Sequence, residues 1–124
     1  MTDTAPRLHV CITCRAGTTP ADGETPPGAR LLAALADMLG ESDSLRLAPV
    51  ACLANCERGC SAAISAAGKW TYLLGHLGPA QAADLIAYAA TYAASASGTV
   101  MPSRRPASLR QAVIARIPAP ELLA

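Results

Sequence analysis

The chain has 124 residues, room for one domain with its own core. Hydrophobic residues make up 52% of it, but much of that is alanine; Phe is absent and Trp occurs once, so the core must come from Leu, Ile, Val and Ala. A formal net charge of +1 with 15% charged residues argues against a nucleic-acid or membrane-surface binder. Gln81 and Asp84 interrupt the most alanine-rich stretch, so nothing reads as a membrane span, and no signal-peptide core follows the polar segment Met1 to Arg7. The expectation is a cytoplasmic protein. Thiols stay reduced there, so five cysteines, an odd number, point to metal binding or redox chemistry rather than to disulfides.

In chain order, Leu8, Val10 and Ile12 alternate with His9, Cys11 and Thr13, which predicts a half-buried strand ending near Cys14. Arg15 to Glu24 carries Gly17, Pro20 and Gly23 and reads as a loop. Thr25-Pro26 reads as a helix start, with the threonine hydroxyl as cap and the proline in the first turn. Leu31, Leu32, Leu35 and Leu39 follow at helical spacing, and Gly40 suits the position just past the end. Leu45, Leu47 and Val50 predict a second strand, with Pro49 marking an edge or a strand end.

The segment Cys52 to Cys60 has no clear period and reads as a loop. Ser61 to Ala66 and Lys69 to Leu74 predict a hairpin turning at Ala67-Gly68. Pro79 opens a last long helix through Leu85, Ile86, Ala89 and Tyr92, which stops near Gly98. A crossover helix makes the first two strands parallel, and the hairpin adds an antiparallel pair. The predicted fold class is therefore α/β and thioredoxin-like. It comprises a βαβ unit, a hairpin and a C-terminal helix, on a mixed four-stranded sheet within residues 1–98. Residues 99–124 form a Pro/Arg-rich extension with Arg104, Arg105, Arg110 and Arg116. There Leu109, Val113 and Ile117, four apart, predict a short amphipathic helix packing on the domain or on a partner.

Cys11 and Cys14 form a C-x-x-C at the end of the first strand; Cys52, Cys56 and Cys60 form C-x-x-x-C-x-x-x-C after the second. The C-terminal ends of parallel neighbouring strands lie at one sheet edge, so the two clusters should converge. Four convergent thiolates suit a [2Fe–2S] cluster or a zinc ion, and soft sulfur excludes Mg²⁺ and Ca²⁺ as natural occupants. The preferred ligands are Cys11, Cys14, Cys52 and Cys56, with Cys60 the one left out and an exchange between Cys60 and Cys14 open. Arg15 and Arg58 adjoin the clusters and would favour thiolates, or are plain solvated surface. Gly17 and Gly59 would let backbone amides approach the sulfurs.

The segments His9 to Arg15, Val50 to Cys60, Gly68 to Tyr72, Arg105-Pro106 and Ala115 to Pro118 resemble the DUF1636 family, small bacterial proteins described as metal-binding. The resemblance covers nearly the whole chain, from Leu8 to Pro118, and implies a link to cobalamin biosynthesis through gene neighbourhood. More distantly, the chain is similar to thioredoxin-like [2Fe–2S] ferredoxins. That similarity implies Cys11 as the first ligand and Cys52 and Cys56 as the last pair. Two departures stand out. The ferredoxins place their second ligand further into the first loop, whereas here no cysteine follows Cys14 before Cys52, and Cys60 falls near where they often carry Gly-Pro.

The expected function is a non-enzymatic electron carrier holding [2Fe–2S], with a protein redox or metal-transfer partner and, by similarity, a homodimer. A zinc or cobalt carrier is the alternative, with His76 placed to assist exchange. A thiol–disulfide protein is a further one, weakened by a helix that starts about ten residues after the C-x-x-C, too far for its dipole to act on a thiol. Lys69, Trp70 and Tyr72 are a docking surface or, preferably, an aromatic cover on the hairpin; Tyr88 and Tyr92, four apart, read as core. No Ser/His/Asp arrangement supports hydrolysis.

Overall fold

Alternating apolar residues build a mixed sheet whose strand order follows from the crossover. The computed structural model describes residues 5–13, 25–42, 44–54 and 60–119. Strand β1 (Arg7–Cys11) leads to helix α1 (Pro27–Leu39), which returns the chain to β2 (Arg46–Val50), parallel to β1 with Leu8 opposite Leu47 and Cys11 opposite Val50. Strands β3 (Ala62–Ser65) and β4 (Thr71–Leu74) form the expected hairpin, closed by Lys69 N–H donating to the Ala66 carbonyl, with Gly68 at φ +73°. Helix α2 (Ala82–Ala94) follows a 3-10 turn at Pro79–Gln81. The sheet order is β2-β1-β3-β4-β5, where β5 is Val113–Ile117.

Strand β5 corrects the sequence reading twice. The sheet has five strands, not four, and residues 113–117 form an edge strand antiparallel to β4 instead of an amphipathic helix. The physical reason is the spacing itself: residues four apart share a face in a helix and in a regular strand alike, so the pattern does not separate the two. In the strand formed, the register shift sets Val113 opposite buried Leu74 and Ile117 opposite Thr71 on the other face. Two β-branched isoleucines and a valine in five residues favour the strand, and β4 offers an unpaired edge. A register shift at Leu73/Leu74 leaves Ile114 as the extra residue. A smaller correction concerns α1. The capping position is Pro26, in extended conformation and with no side-chain cap, and Pro27 is the first helical residue; Thr25 does not cap it. Gly40 ends the helix as expected, at φ +54° with its N–H on the Ala36 carbonyl.

Register places Leu8, Val10, Ala62, Ile64, Tyr72 and Leu74 on one face, all buried. Helices α1 and α2 touch each other, and α1 packs on β1, so both cover that face. Leu31 and Leu35 come from α1, and Leu85, Tyr88, Ala89 and Tyr92 from α2. Val100, Leu109 and Ala112 join the same core from the segment leading into β5. The opposite face, with His9 beside Ala63 and Leu73, is half-buried. Burial and the neighbouring Arg7 charge hold the His9 imidazole below its ordinary value. Pro49 lies on β2, an edge strand, where its missing donor breaks no ladder.

Candidate metal centre

The cysteine edge is set by strand direction. Cys11 is the last residue of β1, held on both sides: its N–H donates to the Ser61 carbonyl at 3.0 Å, and the next residue, Ile12, donates to the Val50 carbonyl at 2.9 Å. Cys52 lies two residues beyond the end of β2, and Cys60 two residues before the start of β3. Because β2 is parallel and β3 antiparallel to β1, all three fall at the same edge of the sheet. Cys14 and Cys56, with Arg15, Gly17, Arg58 and Gly59, lie outside the described residues.

The three described cysteines differ in surroundings, and none is in a disulfide. Cys11 is buried at 3% exposure, with its Sγ 3.8 Å from the Ala51 carbonyl oxygen and 3.9 Å from Thr13 Oγ1. Thr13 Oγ1 in turn donates to that same Ala51 carbonyl, so the first cysteine loop and the second meet at one oxygen. Cys52 is exposed, and the Ala54 N–H donates to its Sγ at 3.2 Å. Cys60 is fully buried among apolar side chains and is locked by two backbone bonds to Leu77, one in each direction. Among the described residues no group of three or more His, Cys, Asp or Glu is close enough to hold a metal ion.

Two non-glycine residues have positive φ among those described, Ala54 at +57° and His76 at +56°. Both border this edge: Ala54 follows Cys52 by two positions, and His76 precedes Leu77, the partner of Cys60. Left-handed backbone in such residues is uncommon and concentrates at functional sites. His76 is exposed at the end of β4. The sequence carries no signal for an alanine in this conformation. The role of Thr13 was readable in principle, as a hydroxyl inside the C-x-x-C, but the cross-loop partner was not.

The hairpin aromatics take the structural role. Trp70 is half-buried with the Arg116 guanidinium 4.1 Å from its ring centre, and Tyr72 is buried. Lys69 Nζ donates to the Tyr92 and Ala93 carbonyls at 3.4 and 2.8 Å, where the C-terminal end of α2 favours a cation. Tyr88 and Tyr92 are core, as their spacing indicates.

This architecture, a five-stranded mixed sheet with two helices, is a thioredoxin-like fold. Two structures of a thioredoxin-like [2Fe–2S] ferredoxin from Aquifex aeolicus superpose on the chain. One does so with a TM-score of 0.59 at 12% identity, covering 94% of this chain and 96% of that one. The other, of the wild-type protein, gives 0.56 at 11% identity, over 90% and 98%. By sequence, the chain belongs to DUF1636, a family described as proteins of unknown function, whose model matches residues 8–119. No curated protein matches it. No helix among the described residues is long and apolar enough to cross a membrane.

Proposed function

We propose that the protein is a [2Fe–2S] electron carrier whose ligands are Cys11, Cys14, Cys52 and Cys56. The observation that carries the proposal is the meeting of the Cys11 loop and the Cys52 loop at the Ala51 carbonyl, at the sheet edge where parallel strands β1 and β2 end. The donor set fits the group: Cys11 and Cys52 are in no disulfide, and sulfur is the ligand that iron–sulfur clusters take. The fold it shares with the Aquifex aeolicus ferredoxins supports the same reading. When bound, the cluster supplies a one-electron couple. The chain ligates it, excludes water on the Cys11 side, and offers the Ala54 amide to the Cys52 sulfur. Cys60 is sealed in the core and serves packing. Electrons would pass to and from a protein partner in the cytoplasm.

Metal and sulfide analysis of anaerobically purified protein, with EPR of its reduced form, tests this. About two irons and two sulfides per chain are expected. A colourless protein holding zinc or cobalt would replace the carrier of electrons with a carrier of metal. The ligand assignment is tested by substitution. Cys11→Ser, Cys52→Ser and Cys56→Ser should each abolish stable loading, whereas Cys60→Ser should keep the metal; full occupancy in Cys52→Ser would sink the assignment.

A further inference from the structure

We infer that Thr13 is a positioning residue for the metal centre: its hydroxyl, donating to the Ala51 carbonyl, latches the first cysteine loop to the second and sets their separation before metal binds. The inference rests on the ligand reading above. Thr13 stands between Cys11 and Cys14, and Ala51 stands next to Cys52, so the latch joins immediate neighbours of the assigned ligands. It spans 38 positions of sequence. The Cys11 thiol lies 3.8 Å from the same carbonyl oxygen and 3.9 Å from the Thr13 hydroxyl.

Nothing in the fold requires this bond. Thr13 and Ala51 are both exposed and outside the core, and water could satisfy the hydroxyl and the carbonyl alike. Strand pairing between β1 and β2 already ends at the Ile12 N–H to Val50 carbonyl bond, one residue short of the latch on each side. Beyond that point, among the described residues, the latch and the Cys11 contact with the same carbonyl are what join the two loops. A group bound by thiolates from both must then order them, and that entropy is taken from its affinity. A latch in place before binding removes part of the cost. Outer partners that orient ligands in this way typically change metal affinity by about 10–100-fold when removed.

The test compares Thr13→Val, which keeps the shape and deletes the hydroxyl, with Thr13→Ser, which keeps the hydroxyl. The probe is Cd²⁺ added to metal-free, reduced protein in competition with a chelator, read from the sulfur-to-cadmium absorption band. The loaded protein is followed in parallel for its rate of iron loss to a chelator. Thr13→Val should bind Cd²⁺ about tenfold more weakly and lose iron faster, with Thr13→Ser within about twofold of the parent. The urea midpoint of the metal-free protein should be the same in all three. Equal Cd²⁺ affinity in Thr13→Val and the parent would overturn the inference, as would equal weakening in both variants. So would a fall in the metal-free midpoint large enough to account for the loss, since that assigns Thr13 to the fold. Failure of the cluster reading is distinguishable: a parent chain that takes up no iron and sulfide still decides the latch through Cd²⁺, and one that binds neither overturns both.

Discussion

Three tyrosines meet edge to face in the core and are treated differently by it. Tyr72 lies 6.0 Å from Tyr88 and 6.4 Å from Tyr92, ring centre to ring centre, at steep angles. The Tyr72 hydroxyl accepts the Val100 N–H, and the Tyr92 hydroxyl donates to the Trp70 carbonyl at 2.6 Å. The Tyr88 hydroxyl is buried with no partner among the described residues. Burial first, and the neighbouring Tyr72 next, push the Tyr88 phenol far above its ordinary value. A buried hydroxyl without a partner costs about 1–3 kcal/mol relative to one that is paired, while its apolar replacement gives up nothing. Tyr88→Phe should therefore leave stability unchanged or raise it by about 1 kcal/mol in urea denaturation. Tyr92→Phe should lower it by a similar amount, because it strands the Trp70 carbonyl. A clear loss in Tyr88→Phe would mean that its hydroxyl is paired. At this scale the sequence was informative about burial, since two tyrosines four apart on a helix are core by period, but silent on which hydroxyl would be left without a partner.

The turn after α2 shows how one element is held against another. Lys69 reaches the last carbonyls of the helix, Trp70 N–H donates to the Ser97 carbonyl, and Gly98 passes between them at φ +80°. A Cβ built on Gly98 would lie 2.7 Å from Lys69 Cβ and 2.9 Å from a Tyr92 ring carbon. Gly68, in the hairpin turn, has a similar φ but open space around it. The pair separates two costs. Gly68→Ala should lose about 1 kcal/mol, for the left-handed backbone alone; Gly98→Ala should lose clearly more, for the backbone and the collision together. Equal losses in urea denaturation would show that the Lys69–Tyr92 contact yields freely. Period and punctuation made most elements legible: the first strand, both helices, the Gly68 hairpin and the Pro49 edge follow from apolar spacing and from where Gly and Pro fall. What they could not decide was residues 113–117, where four-residue spacing serves helix and strand equally. The open edge of β4, a tertiary fact, decides it.

Across the molecule, the core and the described part of the candidate site meet at Cys11, which is buried, while Cys52 is exposed. Cys14 and Cys56 lie outside the described residues. That Cys11 and Cys52 end at one edge of the sheet was legible because strand direction alone implies it. The meeting at the Ala51 carbonyl was not, because a backbone oxygen leaves no mark in a sequence. How far the site reaches into the core bears on whether bound metal is needed for the fold. The buried set joins three strands and both helices through Leu8, Val10, Leu35, Ile64, Leu74 and Leu85, and of these only Val10, on β1, borders a cysteine loop in sequence. The sheet pairs continuously from β2 through β1 and β3 to β4, with one register shift between β4 and β5. In a protein folded by its metal, chelation abolishes secondary structure, because the binding free energy is the folding free energy. Here a chelator should leave the far-ultraviolet circular dichroism unchanged and lower only the melting temperature. Metal a hundredfold above its dissociation constant contributes about 2.7 kcal/mol, which for a chain of this size is a fall on the order of 10 °C. Loss of the helical signal on chelation would show a structural metal in place of an electron carrier, and would place the cysteine loops inside the folding unit instead of at its edge.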